Sequence, residues 1–343
     1  MQSMIWFAFF VLRWSIIFCT WSLTYNGSIC GDFMCRLFGF RSNVPSRTHR
    51  SLLVAENAVA QQACKHTDGW GIGYYIGSEP YIFRSALGAA QDTRFQTFGE
   101  RLRSHTFLVH VRKATVGVID ELNSHPFRFG SWMFAHNGTI FGFEKIRDKI
   151  MAAILPEFHH LIFGNTDSER YFYFLLSHLV ELGCDKTGRL AIDVTIAAEA
   201  QRLALSKIFS WAKEIGTDPP KANYILTNGT VLFARRAGLE LYIATQKTSC
   251  PDYEVCKEPN KVCLMGIMPP IKTTLNRPRK CNHLLVASEP IGAENIWEEV
   301  PDGSLVSLDD NFMVRVHESP EPFWVTWPPV ISRHPQRPNV IPA

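Results

Sequence analysis

Hydrophobic and polar positions divide the chain into a strand-rich start, a helical middle and a second strand-rich part. Residues 35–40 read as a strand, with Leu37, Phe38 and Phe40 following a cysteine and Gly39 among them. A turn around Pro45 follows. Residues 50–64 then have helical spacing, Leu53, Asn57, Ala60 and Cys64 sharing one face. Asp68-Gly69-Trp70-Gly71-Ile72-Gly73 is a glycine-rich turn feeding a strand over 71–76, with 81–84 as its hairpin partner. No helix and no Lys-Ser/Thr pair follows these glycines, so close backbone approach explains them better than a phosphate loop does. The pattern continues with a short helix over 92–102, a buried strand over 106–112, and a strand over 131–135 that ends in His136-Asn137-Gly138. Residues 143–155 are helical up to Pro156.

Residues 166–182 form a strongly amphipathic helix, for which Thr166 is the N-cap and Glu169 completes a capping box. A long helix over 193–215 stops at Gly216 and Pro219-Pro220. Beyond it the period returns to two. Residues 224–227, the turn Asn228-Gly229 and residues 230–234 make the best hairpin signal in the chain. Further strands are expected at 239–245 and 283–288, with a closing pair at Val306 and 312–316. The stretch 247–280 is polar and proline-dotted and reads as a long surface loop, and 319–343 reads as a Pro-rich C-terminal tail. Strands, two long helices and more strands, without internal repeats, point to an α+β class of stacked layers and not to alternating βαβ units.

Composition narrows the classes of function. With 46% hydrophobic and 20% charged residues, the 343-residue chain has the make-up of a folded globular protein. A net charge of +3 gives no case for nucleic acid or an anionic membrane as partner. Nine cysteines without a C-x-x-C pair argue against a zinc site and against a secreted disulfide framework, and point to a reducing, cytoplasmic setting. Residues 1–33 do not match the rest: two apolar runs rich in Trp and Phe flank Arg13. They can be an upstream extension of a chain whose true initiator is Met34, a membrane anchor of the about 20 apolar residues a bilayer needs, or a removed segment. A secretory signal fits poorly, because no positive charge precedes the apolar run and no small-x-small site precedes Cys35. If the chain begins at Met34 or is cut after it, Cys35 carries an α-amine beside its thiol. Their reference pKa values, about 8 and about 8.5, let the two exchange a proton near neutrality.

Four short motifs follow in order: Cys35, His110-x-Arg112-x-x-Thr115, His136-Asn137-Gly138 and Thr166-Asp167-Ser168-Glu169. Singly each has a plain structural reading: a core cysteine, a strand-end arginine, a turn, a carboxylate complementing a helix dipole. Together they resemble the class II glutamine amidotransferases, over roughly residues 35–307. The resemblance implies a four-layer αββα N-terminal-nucleophile hydrolase sandwich, with residues 34–318 as the amidotransferase domain. It implies that Cys35 attacks the side-chain amide of glutamine or a γ-glutamyl compound, with its own α-amine as general base. Asn137 and Gly138 become the oxyanion donors. Arg112 grips the substrate α-carboxylate, Asp167 accepts the ammonium, and Thr115 assists at the carboxylate. His110 and His136 are then structural, although a thiol hydrolase using one of them as base is the competing assignment.

Asp68-Gly69-Trp70-Gly71, Asn123-Ser124-His125-Pro126-Phe127 and Ala287-Ser288-Glu289-Pro290 resemble a stand-alone branch of that family, which includes the γ-glutamyl hydrolase of ergothioneine biosynthesis. The branch implies a small-molecule substrate and no cofactor. Ammonia either passes to a partner protein or is simply released. If residues 1–33 persist, the amine of Cys35 is an amide, and a catalytically silent, membrane-associated binding module is the alternative.

Overall fold

The computed structural model describes residues 35–63, 68–113, 119–249 and 277–319. The expectations for residues 1–33, for Cys64 and Thr115, for most of the 247–280 stretch and for the C-terminal tail therefore lie outside the described residues. In chain order the first half comprises β1 (Arg36–Arg47), α1 (Val59–Gln62), β2 (Trp70–Ile76), β3 (Glu79–Ser85), α2 (Thr93–Arg101), β4 (Arg103–Val111), β5 (Phe127–Phe129) and β6 (Trp132–Thr139). Four helices follow, α3 (Phe143–Ala153), α4 (Pro156–His159), α5 (Asp167–Glu181) and α6 (Val194–Glu214). The chain then returns to strands: β7 (Lys221–Thr227), β8 (Leu232–Arg235), β9 (Tyr242–Lys247), β10 (Arg279–Lys280), β11 (His283–Ala287), β12 (Asn295–Glu299), β13 (Leu305–Leu308) and β14 (Met313–His317).

These strands build two sheets, in the orders β12-β9-β11-β1-β4-β2-β3 and β10-β14-β13-β8-β7-β6-β5. Period-two alternation decides what each face buries. Leu37, Leu108, Met133, Ala135, Ile225, Ile243, Leu284, Val286 and Val306 pack between the sheets. Their sequence neighbours turn outward. Phe38, Val109, Ala244 and Leu285 face α1, α2 and the wide turn Arg50–Val54. Trp132, Phe134, Tyr224 and Phe233 face α3, α5 and α6. The result is the αββα sandwich, two hydrophobic outer interfaces around a third between the sheets. Close approach of the sheets depends on glycine: a Cβ on Gly39 would sit 2.7 Å from Ile225 Cδ1, and one on Gly73 would sit 2.5 Å from Met133 Sδ.

Several elements differ from the pattern reading. Residues 50–64 do not form one helix; Asn57 takes a left-handed φ of 57° and splits the stretch into the wide turn and α1. Its side chain donates to Pro290 O and Glu289 Oε2, so a tertiary contact overrides the local period. The strand expected to end before His136 runs on to Thr139, pairing Asn137 with Asn223 and Gly138 with Ala222. The hairpin joining β7 and β8 is real, but its connection spans 228–231. There Asn228 Oδ1 accepts from Thr230 N and Val231 N. Thr166 caps α5 through Glu169 N, yet the Glu169 carboxylate reaches past the cap to Phe163 N and Gly164 N, so the reciprocal half of the capping box is absent.

Candidate functional site

Continuing the alternation past the strand ends gathers the chemistry-bearing residues in one place. Cys35 has the parity of Leu37, Arg112 that of Leu108, and Asn137 that of Met133 and Ala135, all of which face the space between the sheets. Register brings them to the same end. Arg36 pairs with Val111, so the next step places Cys35 across from Arg112. On the other side of β4, Trp70 pairs with Val111 and Arg112 N donates to Gly69 O at 2.8 Å.

Cys35 is partly exposed, and its Sγ lies against the Lys113 backbone, 3.2 Å from the amide N that donates to it and 3.3 Å from the carbonyl that accepts from it. Burial pushes the thiol up from its ordinary pKa, while the Lys113 amide and the Arg112 charge pull it down. The Lys113 amide and the Arg112 guanidinium are thus the groups that favour a thiolate at this position. Arg112 is buried at 4% exposure, and burial lowers its pKa against the opposing pull of Cys35, Asp68, Asp120 and Asp167.

Asn137 and Gly138 stand within β6. Asn137 Nδ2 donates to Ser288 Oγ at 3.2 Å, and its Oδ1 is buried without a partner among the described residues. Gly138 cannot be replaced by any other residue without displacing backbone, since a Cβ would fall 1.8 Å from Lys221 O. Asp167 opens α5 and is buried; Oδ2 accepts from Ile140 N and Oδ1 from Ser168 N, each at 2.8 Å. Those bonds tie the start of α5 to the residue after β6, and Ser168 Oγ lies a further 3.3 Å from Oδ1.

Parity separates His136 from the site. It shares the outward face of Trp132 and Phe134 and meets α5, with Nδ1 2.8 Å from Ser168 Oγ and Nε2 3.1 Å from Lys221 O. A carbonyl only accepts, so Nε2 carries the proton and Nδ1 accepts from the serine hydroxyl. Burial lowers its pKa, with Asp167 opposing. Both nitrogens are committed, which disfavours His136 as the base for Cys35. His110 is fully buried and packs against His125, ring centroids 4.3 Å apart with the planes tilted by 52°. Thr115 lies outside the described residues, and among the described residues no group of three or more His, Cys, Asp or Glu could hold a metal ion.

Two features at this end carry no distinguishing signal in the sequence. Lys113 acts through its backbone, for which no side-chain pattern exists. In sequence Ser288 stands out only as part of Ala287-Ser288-Glu289-Pro290; in the fold it follows β11 and exchanges bonds with Leu37, and the neighbouring Glu289 pairs with Arg36.

The family described as glutamine amidotransferases class-II matches residues 34–327. A γ-glutamyl-hercynylcysteine sulfoxide hydrolase of Mycobacterium tuberculosis is 43% identical over 246 residues, 71% of this chain and 76% of the relative. A probable glutamine amidotransferase of Saccharomyces cerevisiae, DUG3, is 28% identical over 80% of this chain and 82% of its own. Among solved structures, a glutamine aminotransferase class-II domain protein from Silicibacter pomeroyi superposes with a TM-score of 0.56 at 21% identity, covering 83% of this chain and 100% of that one. The glutamine phosphoribosylpyrophosphate amidotransferase of Bacillus subtilis gives 0.51 at 16% identity; 84% of this chain is covered, and only half of the larger protein.

Proposed function

Because the chain belongs to the class-II glutamine amidotransferases, we propose that it is an amidohydrolase that cleaves the γ-amide of glutamine or of a γ-glutamyl compound through a thioester on Cys35. The observation that carries this reading is the convergence of Cys35, Arg112 and Asn137 on one inward-facing end of the two sheets, with the Asp167 carboxylate in electrostatic reach of Arg112. Cys35 Sγ, deprotonated by the α-amine of the same residue, attacks the amide carbon. The carbonyl oxygen takes the negative charge beside Asn137 Nδ2 and Gly138 N–H. The C–N bond then breaks, and the proton held by the amine leaves with ammonia or the departing amine. Water attacks the thioester, glutamate departs, and the thiol is restored. Arg112 and Asp167 hold the α-carboxylate and α-ammonium of the substrate throughout, with Thr115 assisting at the carboxylate.

The mechanism requires Cys35 to be N-terminal, so the functional chain is proposed to start there, with residues 1–33 and Met34 outside it; the family match opening at residue 34 supports this. The similarity to a γ-glutamyl hydrolase covering 71% of the chain favours simple hydrolysis over transfer. The test is a screen of protein starting at Cys35 against glutamine, glutathione and other γ-glutamyl compounds, reading glutamate and the leaving amine. Glutamate release that is lost in Cys35→Ala is expected. A folded Cys35-start protein that releases glutamate from none of them overturns the reading and leaves a silent binding module.

A further inference from the structure

We infer that Ser288 is a positioning residue: its hydroxyl fixes the side-chain amide of Asn137 against the strand that carries Cys35. The inference rests on the proposed role of Asn137 as an oxyanion donor. Ser288 continues the parity of Leu284 and Val286, so its side chain enters the same space between the sheets as Cys35 and Asn137. Its backbone N donates to Leu37 O at 3.0 Å and its Oγ accepts from Leu37 N at 3.0 Å, two bonds to the second residue after the nucleophile. That same Oγ accepts from Asn137 Nδ2 at 3.2 Å. A hydroxyl oxygen has two lone pairs, and Leu37 and Asn137 use both.

Among the described residues, Ser288 Oγ is the one hydrogen-bonding partner of the Asn137 amide, whose Oδ1 is buried with no donor. One hydrogen of Nδ2 is held by the serine. The other is left for a substrate oxygen. Asn137 is in one sheet and Cys35 in the other, so the distance between donor and nucleophile is set across an interface of apolar side chains that carry no direction. Ser288 supplies the direction: one atom is bonded to both the nucleophile strand and the donor. Neighbouring contacts hold the serine itself, since Glu289 pairs with Arg36 and accepts from Asn57 Nδ2 at 3.3 Å.

The test uses Cys35-start protein with Ser288→Ala, Ser288→Thr and Asn137→Ala variants. The first readout needs no turnover. In protein labelled with ¹⁵N at asparagine, the Asn137 side-chain amide, identified by its loss in Asn137→Ala, is expected to exchange with water about 10-fold faster or more in Ser288→Ala. Ser288→Thr, which keeps the hydroxyl, retains the slow exchange. The second readout is kinetic: kcat falls about 10- to 100-fold in Ser288→Ala with KM within about twofold, because the lost interaction belongs to the transition state. The double variant is no slower than Asn137→Ala alone by more than about threefold, since both changes disable one donor. An Asn137 amide unchanged in Ser288→Ala overturns the inference. So does a Ser288→Ala penalty that multiplies in full on Asn137→Ala, which would mark general damage to β1. Loosening of the amide in a protein that hydrolyses nothing supports the Ser288 bond and sinks the amidohydrolase reading instead.

Discussion

Arg112 and Cys35 make different demands on their residue types, and substitution separates the demands. A guanidinium presents a planar fork that matches a carboxylate at two points, whereas an ammonium is a single charge on a flexible stem. Arg112→Lys is expected to raise KM for a γ-glutamyl substrate about 10-fold or more while changing kcat less, because a head-group grip acts in ground and transition states alike. Steady-state kinetics check it, and an unchanged KM removes Arg112 from the substrate site. That Cys35, Arg112 and Asn137 share one end of the fold could be anticipated from sequence because the proposed chemistry needs rare side chains at fixed places: a thiol, a guanidinium, an amide, a carboxylate. Lys113 could not, since its contribution to Cys35 is a backbone amide that any residue except proline provides. Ser288 was visible as a motif, but its meaning depends on a bond between two sheets whose strands lie 151 residues apart in sequence.

At the scale of elements, glycines mark where strand backbones meet other chain segments. A Cβ on Gly71, in β2, would lie 2.0 Å from His125 O and 3.1 Å from Phe83 O, so backbone itself must move. Gly71 pairs with His110 on one side and Arg84 on the other, which leaves the strand no direction in which to yield. Gly71→Ala is therefore expected to destabilise by about 3 kcal/mol or more. Gly183→Ala is the control, with a φ of 88° and nothing within 4 Å of the added methyl; the cost there is the about 1–2 kcal/mol of a left-handed L-residue. Urea unfolding of both variants makes the comparison, and equal costs would refute the close-approach account. The long periodic element α6 was legible in sequence, and it is capped by Asp193, whose carboxylate accepts from Thr195 N and Ile196 N. Short edge elements were not. β12, Asn-Ile-Trp-Glu-Glu, lacks clean alternation and exists because β9 offers an open edge, and the helix expected over 50–64 yields to the Asn57 contacts with Glu289 and Pro290.

For the molecule as a whole, burying histidines couples stability to acid. His125 lies at 5% exposure with neither ring nitrogen hydrogen-bonded among the described residues, packed against His110, Phe127 and His136. Desolvation, then the neighbouring His110 and His136, hold its pKa well below the ordinary value. Burial likewise lowers His136 and takes His283 down to about 3. A histidine with a depressed folded pKa stays neutral in the native state, whereas the unfolded chain takes up its proton below about pH 6.5. The unfolded state then binds more protons, so stability rises with pH across that window and is lost as pH falls from about 6.5 towards the folded pKa values, by at most about 1.4 kcal/mol per pH unit for each such group. Paired carboxylates add to the loss lower down: Asp92, held well below the usual range by Arg94 and hydrogen-bonded by Ser85 and Trp70, gives up its contribution only as pH drops through the carboxylate range. Between about pH 6 and 4.5 the slope therefore belongs chiefly to histidines. Urea unfolding at a series of pH values should show it, and His125→Phe, which keeps an aromatic ring where no nitrogen is bonded, should flatten that slope by the equivalent of about one proton. A slope identical in the variant would mean that His125 is protonated in the folded chain, a charge buried against the rings of His110 and His136.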